Sequence, residues 1–195
     1  ARRELVDIDR QLDLLEKSYL MVVQAWGESI ESQDHYTAGH CARVADYTIR
    51  LASAVGFAGR DLNWIRMGAF LHDVGKARLP QDIIQKPGGL DNREWEEMRA
   101  HTTVGDQIVA ELDFPYDVRP MVRSHHERWD GAGYPDGLSG EGIPLIARVL
   151  CIADVYDALT TDRSYRSAFS QEEALTIMES EAGKMIDPTL FATFK

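Results

Sequence analysis

Residues 144–160 read PLIARVLCIADVYDALT. Apolar side chains fall on every side of this run, and it is too long for an ordinary strand, so it reads as a long, largely buried helix. Asp154 and Asp157 interrupt it three positions apart, which puts both on one face. Unpaired carboxylates in a core are costly. These two therefore need partners, either metal cations or salt bridges to Arg163 or Arg166. The wider run 143–156 is broken by Arg148 and Asp154, and it is too short and too charged to span a bilayer.

Working outward, the rest of the chain also reads as helices. HYTAGHCARVADYTIRLASAVG (35–56) carries Val44, Tyr47, Leu51 and Ala54 on one face and stops at Gly56. RDLNWIRMGAFLHDVGK (60–76) has Asp61 as N-cap and ends at Gly75. In DNREWEEMRAH (91–101), Asp91 followed by Glu94 is a capping-box pattern, and Ser170 with Glu173 repeats it in SQEEALTIMESEAG (170–183). Further helices are expected over 103–112, from near Tyr116 to the pair His125–His126, and over 187–194 with Pro188 in the first turn. KPGGL (86–90) and the segment 130–144 are loops rich in Gly and Pro. No alternating strand pattern stands out. At the front, Leu5, Ile8, Leu12, Leu15, Tyr19, Val22 and Trp26 recur at spacings of three and four. This is either a short coiled-coil seam that pairs two copies or one amphipathic helix packed on its own domain. The expected architecture is an all-α, HD-type helical bundle, with a connector helix over 1–27 and the main domain over 28–195.

The chain has 195 residues, 44% hydrophobic and 27% charged, which suits a globular protein with a substantial core. Its formal net charge is -11, with a pI near 4.9. That argues against long nucleic acid as a partner, since nucleic acid selects a basic surface. A small anionic ligand stays open, because bound cations invert the local sign. Cys41 and Cys151 form no CxxC motif and read as buried apolar residues, which fits a reducing, cytoplasmic setting. The chain opens ARRELVDIDR, without Met or a visible signal peptide, and is expected to be part of something longer that the first helix connects.

Six histidines, at 35, 40, 72, 101, 125 and 126, sit in suggestive company. His72 precedes Asp73 in LHDVGK, His101 closes a capped helix, and His125–His126 lead into HHERWDGAGYP. Neighbouring residues on a helix point about 100° apart. HD and HH pairs therefore suit a helix end facing a site, or a position between two metals where each side chain takes one. Asp73 has two oxygens to share and is the natural bridge. Imidazole with carboxylate suits Fe, Mn, Zn or Ni rather than Ca or Mg alone. Each item is weak singly; the order H…HD…H…HH…D is far more specific.

With YTAGH (36–40), LHDVGK (71–76), IIQKPGGL (83–90), His101, HHERWDGAGYPDGL (125–138), IPLIARVLCIADVYDALTTDRSYR (143–166) and IDP (186–188) in place, the chain resembles the HD-GYP domains of the HD phosphohydrolase superfamily, from about residue 28 to the end. The resemblance implies a metal-dependent phosphodiesterase that hydrolyses cyclic di-GMP to linear pGpG, and in some members on to GMP. It implies His72, Asp73, His101, His125, His126 and Asp154 as metal ligands, with Asp73 bridging and counted with Lys76 as catalytic. It places Lys76, Tyr134, Arg163 and Arg166 on the substrate, and Asp157 near the substrate or a third metal. Three-metal members carry a glutamate where this chain has Tyr36, a poor bridge because its hydroxyl ionises only near pH 10. Two divalent ions are therefore expected, Fe or Mn first and Zn or Ni as alternatives. His40 is either a ligand of the first metal or a group that supports the ligands or faces the substrate, and His35 is not a ligand.

Physically, two cations about 3.5–4 Å apart can bind a phosphate oxygen, activate water to hydroxide and align its attack on the phosphodiester. Lys76 would neutralise charge developing on the phosphoryl oxygens. Arg163 and Arg166 would reach a second phosphate or a guanine edge, and Tyr134 would stack on a base. Taken alone, Lys76 could simply cap a helix, and the two arginines could pair with Asp157 and Asp162. Trp129 is either the anchor of the GYP loop or part of a protein-binding surface there. The rival functions are a phosphodiesterase for another cyclic dinucleotide, such as cyclic GMP-AMP, and a silent module that binds messenger or protein without turnover.

Overall fold

A computed structural model of the chain describes residues 2–32, 39–86, 88–112, 114, 116–162 and 166–195, with the backbone alone for residues 2–6 and Asp9. Ten α-helices are found among them: α1 (Arg2–Glu31), α2 (His40–Ala54), α3 (Arg60–Leu71), α4 (Gln81–Ile84), α5 (Asn92–Arg99), α6 (His101–Glu111), α7 (Arg119–Ser124), α8 (Leu145–Thr160), α9 (Gln171–Glu181) and α10 (Pro188–Phe194). Short 3-10 turns occupy Val74–Arg78 and Gly140–Gly142. There is no β-strand among the described residues. The fold is the expected all-α bundle.

The helix at 144–160 is its axis. Ile146, Val149, Leu150, Ile152 and Ala153 of α8 are buried, and α8 packs against α2, α7 and α9. Each such aliphatic side chain removed from water contributes about 1.5–3 kcal/mol, so burial overrides the two acids that the helix carries. The helix starts are chemically legible. Asp91 and Ser170 each accept the N3 backbone N–H while Glu94 and Glu173 reach back, closing both capping boxes. Asp187 caps α10 ahead of Pro188.

Several boundaries differ from the sequence reading; His101, expected to close the helix over 91–101, opens α6 instead, because α5 ends at Arg99. The helix expected over 60–76 stops at Leu71; the chain turns at His72–Asp73 and continues as the 3-10 segment. Its N-cap is Gly59, and Asp61 lies in the first turn. The helix expected from residue 35 starts at His40, after Gly39 at φ 75°, a left-handed conformation that glycine adopts without strain. Gly39 offers no capping side chain. Glu31, the last residue of α1, does the capping instead: its carboxylate accepts the backbone N–H of His40 (2.8 Å) and Cys41 (3.0 Å).

Helix α1 has two stripes. Leu20, Val23, Gly27 and Ile30 face the body, where a Cβ on Gly27 would come within 2.5 Å of the Phe70 carbonyl oxygen. Ile8, Leu12, Leu15, Tyr19 and Val22 face outward, 39–68% exposed. Trp26, expected on this second stripe, packs partly buried against the core, and the Leu5 side chain lies outside the described residues. Among the described residues no helix is long and apolar enough to cross a membrane.

Candidate metal centre

Both histidine dipeptides sit just past helix C-termini: His72–Asp73 after α3 and His125–His126 after α7. His101 opens α6. The chain brings these ends together through a backbone contact. A Cβ on Gly75 would lie 1.9 Å from the His101 carbonyl oxygen and 2.7 Å from the Gly105 nitrogen. Only a residue without a side chain lets the turn after Asp73 press onto the first turn of α6.

The result is two donor groups that share Asp73. His101, His125, His126 and Asp73 form one; His40, His72 and Asp73 form the other; within each, ligand atoms lie within 4.8 Å of one another. Asp154 stands beside the second, with Oδ1 3.5 Å from His40 Nε2. The two oxygens of Asp73 point to different partners. Oδ2 lies 3.4 Å from His72 Nε2 and accepts from Lys76 Nζ at 2.6 Å. Oδ1 faces His101 Nε2 at 3.4 Å and His125 Nε2 at 3.9 Å. Oδ1 is buried and has no hydrogen-bond partner.

Ring orientation is fixed from behind. Nδ1 of His72 lies 2.6 Å from the Ala69 carbonyl, that of His101 2.6 Å from the Met98 carbonyl, and that of His125 2.9 Å from the Val122 carbonyl. A carbonyl can only accept, so each Nδ1 carries a proton, and on a neutral ring Nε2 then turns its lone pair inward. Behind His40 stands Asp157, its Oδ2 2.8 Å from His40 Nδ1. Burial, with the neighbouring His126, pushes His125 well below the ordinary imidazole pKa. Burial likewise lowers His101, and burial with His101 lowers His126 to about 4. His72 goes the other way: burial opposes its charge, but Asp73 and Asp154 prevail and raise it to about 9. Burial disfavours the Asp73 anion too, yet Lys76 and His72 hold it well below the usual carboxylate range. The lone pairs that burial keeps free on His101, His125 and His126, with an ionised carboxylate that has a partnerless buried oxygen, are what divalent transition ions bind, and His72 would give up its proton to join them. The residues fit two such ions.

The other expected site residues divide. Lys76 lies at the site, in contact with Asp73. The Tyr134 ring packs on His126, centroids 4.9 Å apart. Asp157 was expected against substrate or a third metal, but its side chain is 2% exposed and both oxygens are occupied, by His40 and by Arg43 (Nε to Oδ1, 2.6 Å). Arg166, expected on substrate or on an acid, donates to the Ala158 (2.6 Å) and Leu159 (3.3 Å) carbonyls at the end of α8 and lies over Phe169. Arg163, His35 and Tyr36 lie outside the described residues. The Trp129 side chain is half-buried with Arg148 over its ring, and its backbone N–H donates to the Met185 carbonyl.

Three residues escaped the sequence reading. Arg43 neutralises Asp157. Glu31 ties α1 to His40. Glu127, buried, accepts the backbone N–H of Asp136 (2.7 Å) and Leu138 (3.0 Å), so it shapes the loop that presents Tyr134. Nothing in local spacing signals these pairs, apart from an acid standing where a core residue would otherwise be.

Two openings meet at His126 and Asp154. One is a cavity of ≈ 170 Å³ walled by Gly27, Ile30 and Glu31 of α1 together with Lys76. The other is a wider groove of ≈ 670 Å³ that runs past Tyr134 toward α5.

Residues 27–190 match the family model described as HD domain. The 3'3'-cGAMP-specific phosphodiesterase 3 of Vibrio cholerae is 40% identical over 182 residues, 93% of this chain and 40% of that protein. The cyclic di-GMP phosphodiesterase response regulator RpfG of Xanthomonas campestris pv. campestris is 36% identical over 162 residues, 82% of this chain and 43% of that protein. The chain thus spans less than half the length of these relatives. A crystal structure of a cyclic GMP-AMP specific phosphodiesterase from V. cholerae superposes with TM-score 0.72 at 19% identity, over 90% of this chain and 47% of that one, and supports the fold.

Proposed function

The chain belongs to the HD domain family, and from that membership we propose that it hydrolyses a phosphodiester bond of a cyclic dinucleotide in a metal-dependent reaction. The observation that carries this reading is Asp73, whose two oxygens each face a separate histidine group while Oδ1 has no other partner. His101, His125, His126 and Asp73 would hold one ion, and His40, His72, Asp73 and Asp154 the other. Two divalent ions there supply Lewis acidity toward the phosphoryl oxygens and ease deprotonation of water.

The protein's own groups do the rest. Backbone carbonyls and Asp157 keep the imidazoles aimed inward. Lys76 sits where negative charge on the phosphoryl group would build up and stabilises it. A net charge of -11 repels a free dinucleotide anion, and the two ions with Lys76 would offset that locally. In the net reaction, water oxygen bonds to phosphorus, the bond from phosphorus to the 3′ oxygen breaks, and that oxygen takes up a proton, leaving a linear dinucleotide with a 5′ phosphate. Cyclic di-GMP, expected from the sequence, and 3'3'-cyclic GMP-AMP, named for the Vibrio relative, both contain this linkage.

The test pairs metal analysis of anaerobically purified protein with chromatography after incubation with cyclic di-GMP, 3'3'-cyclic GMP-AMP and cyclic di-AMP. About two Fe or Mn per chain with a linear dinucleotide as product supports the reading. Full metal content with every cyclic dinucleotide left intact overturns it in favour of a binding module.

A further inference from the structure

The wider groove has one wall that the phosphodiester chemistry does not use. Trp95 and Arg99 lie one turn apart on α5, hence on the same face. Trp95 is 47% exposed, so its ring is open to a ligand in the groove. The Arg99 guanidinium lies over the Tyr134 ring, 5.2 Å from its centroid, and has no carboxylate partner among the described residues. Arg99 is thus an exposed cation on a chain of net charge -11. Trp95, Arg99 and Tyr134 line the same groove as His126 and Asp154, so a ligand with its phosphate at the candidate metals would extend along them.

Three planar groups, one of them cationic, beside a phosphate site match a nucleobase: aromatic faces and guanidinium planes stack on bases, and the cation adds attraction for an anionic nucleotide. The Tyr134 end is rigid, because the GYP loop is fastened by Glu127 and its Tyr134 N–H donates to the His126 carbonyl at 3.2 Å. We propose that Trp95 and Arg99 of α5, with Tyr134, form a stacking wall for one purine base of the bound nucleotide. This rests on the phosphodiesterase reading for its ligand.

The test is calorimetric titration of the metal-loaded protein with GMP and with ribose 5-phosphate, which carries the phosphate but no base. Stacking on such groups predicts that GMP binds about 5- to 150-fold tighter. Trp95→Ala and Arg99→Ala should each shrink that preference at least ~5-fold with metal content unchanged, and Trp95→Phe should retain it. An equal preference in wild type and both alanine variants overturns the wall. If the preference follows these residues but no cyclic dinucleotide is cleaved, the phosphodiesterase reading fails and the base site stands.

Discussion

The Nε2 atoms of His101 and His125 face each other at 3.3 Å. Both rings carry their proton on Nδ1, toward main-chain carbonyls, so two lone pairs point at each other. A cation relieves that repulsion and supplies the missing partner of Asp73 Oδ1. Chelation should therefore destabilise the fold as well as stop activity. At a metal concentration of 100 times Kd the linkage is about 2.7 kcal/mol, or roughly 5–10 °C in Tm for a domain of this size. Calorimetry before and after chelation and reloading checks it; an unchanged Tm would count against ions in this position.

Asp157→Asn separates two roles. If Asp157 orients His40, metal affinity should fall about 10- to 100-fold, with KM little changed once metal is saturating, because Arg43 loses its counter-charge and His40 its anchor. A raised KM at full metal content would instead restore the substrate contact expected from the sequence.

Gly75→Ala should be costly although it adds one methyl group. The new Cβ would overlap the His101 carbonyl, and overpacking of this kind costs about 1–3 kcal/mol. A fall of roughly 2–4 °C per kcal/mol, together with reduced metal retention, is expected in a thermal melt and metal assay. Full stability and full metal content would show that the close approach is not needed.

The two cysteines should be silent toward thiol reagents. Burial raises Cys151 to about 12, and burial together with Glu31 raises Cys41 strongly. A raised thiol pKa leaves the neutral, unreactive form in place at every pH below it. Native protein at pH 8 should show no fast labelling with a disulfide reagent, and two equivalents after denaturation; rapid native labelling would contradict the burial.

The outward stripe of α1 is where a second copy would pair. Ile8, Leu12, Leu15, Tyr19 and Val22 keep the heptad spacing while exposed, an arrangement that self-association relieves. Sedimentation should give a dimer, and Leu12→Glu with Leu15→Glu a monomer of unchanged helicity. A monomeric wild type at tens of micromolar would rule the seam out.

What the sequence disclosed depended on range. The capping boxes at Asp91–Glu94 and Ser170–Glu173 rest on bonds within one turn, so spacing alone reveals them. The ordered histidines and aspartates announced a metal site because few other needs gather such groups at helix ends. Arg43 with Asp157, and Glu127 with the loop that follows, were not legible: the first pair is 114 residues apart, and the second rests on backbone N–H groups that every residue but proline carries. The break at His72–Asp73 was hidden for a related reason. The turn there brings Gly75 against α6, a contact made through the fold that no local spacing reveals.

One carboxylate serving two donor groups makes them a single thermodynamic unit. Whatever filling one group does to the affinity of the other must be returned in equal measure. A substitution confined to His101, His125 or His126 that empties its own half should therefore register as an altered binding constant in the His40–His72 half, through Asp73. The centre should load and unload as a coupled pair, with a titration curve that two independent sites cannot fit.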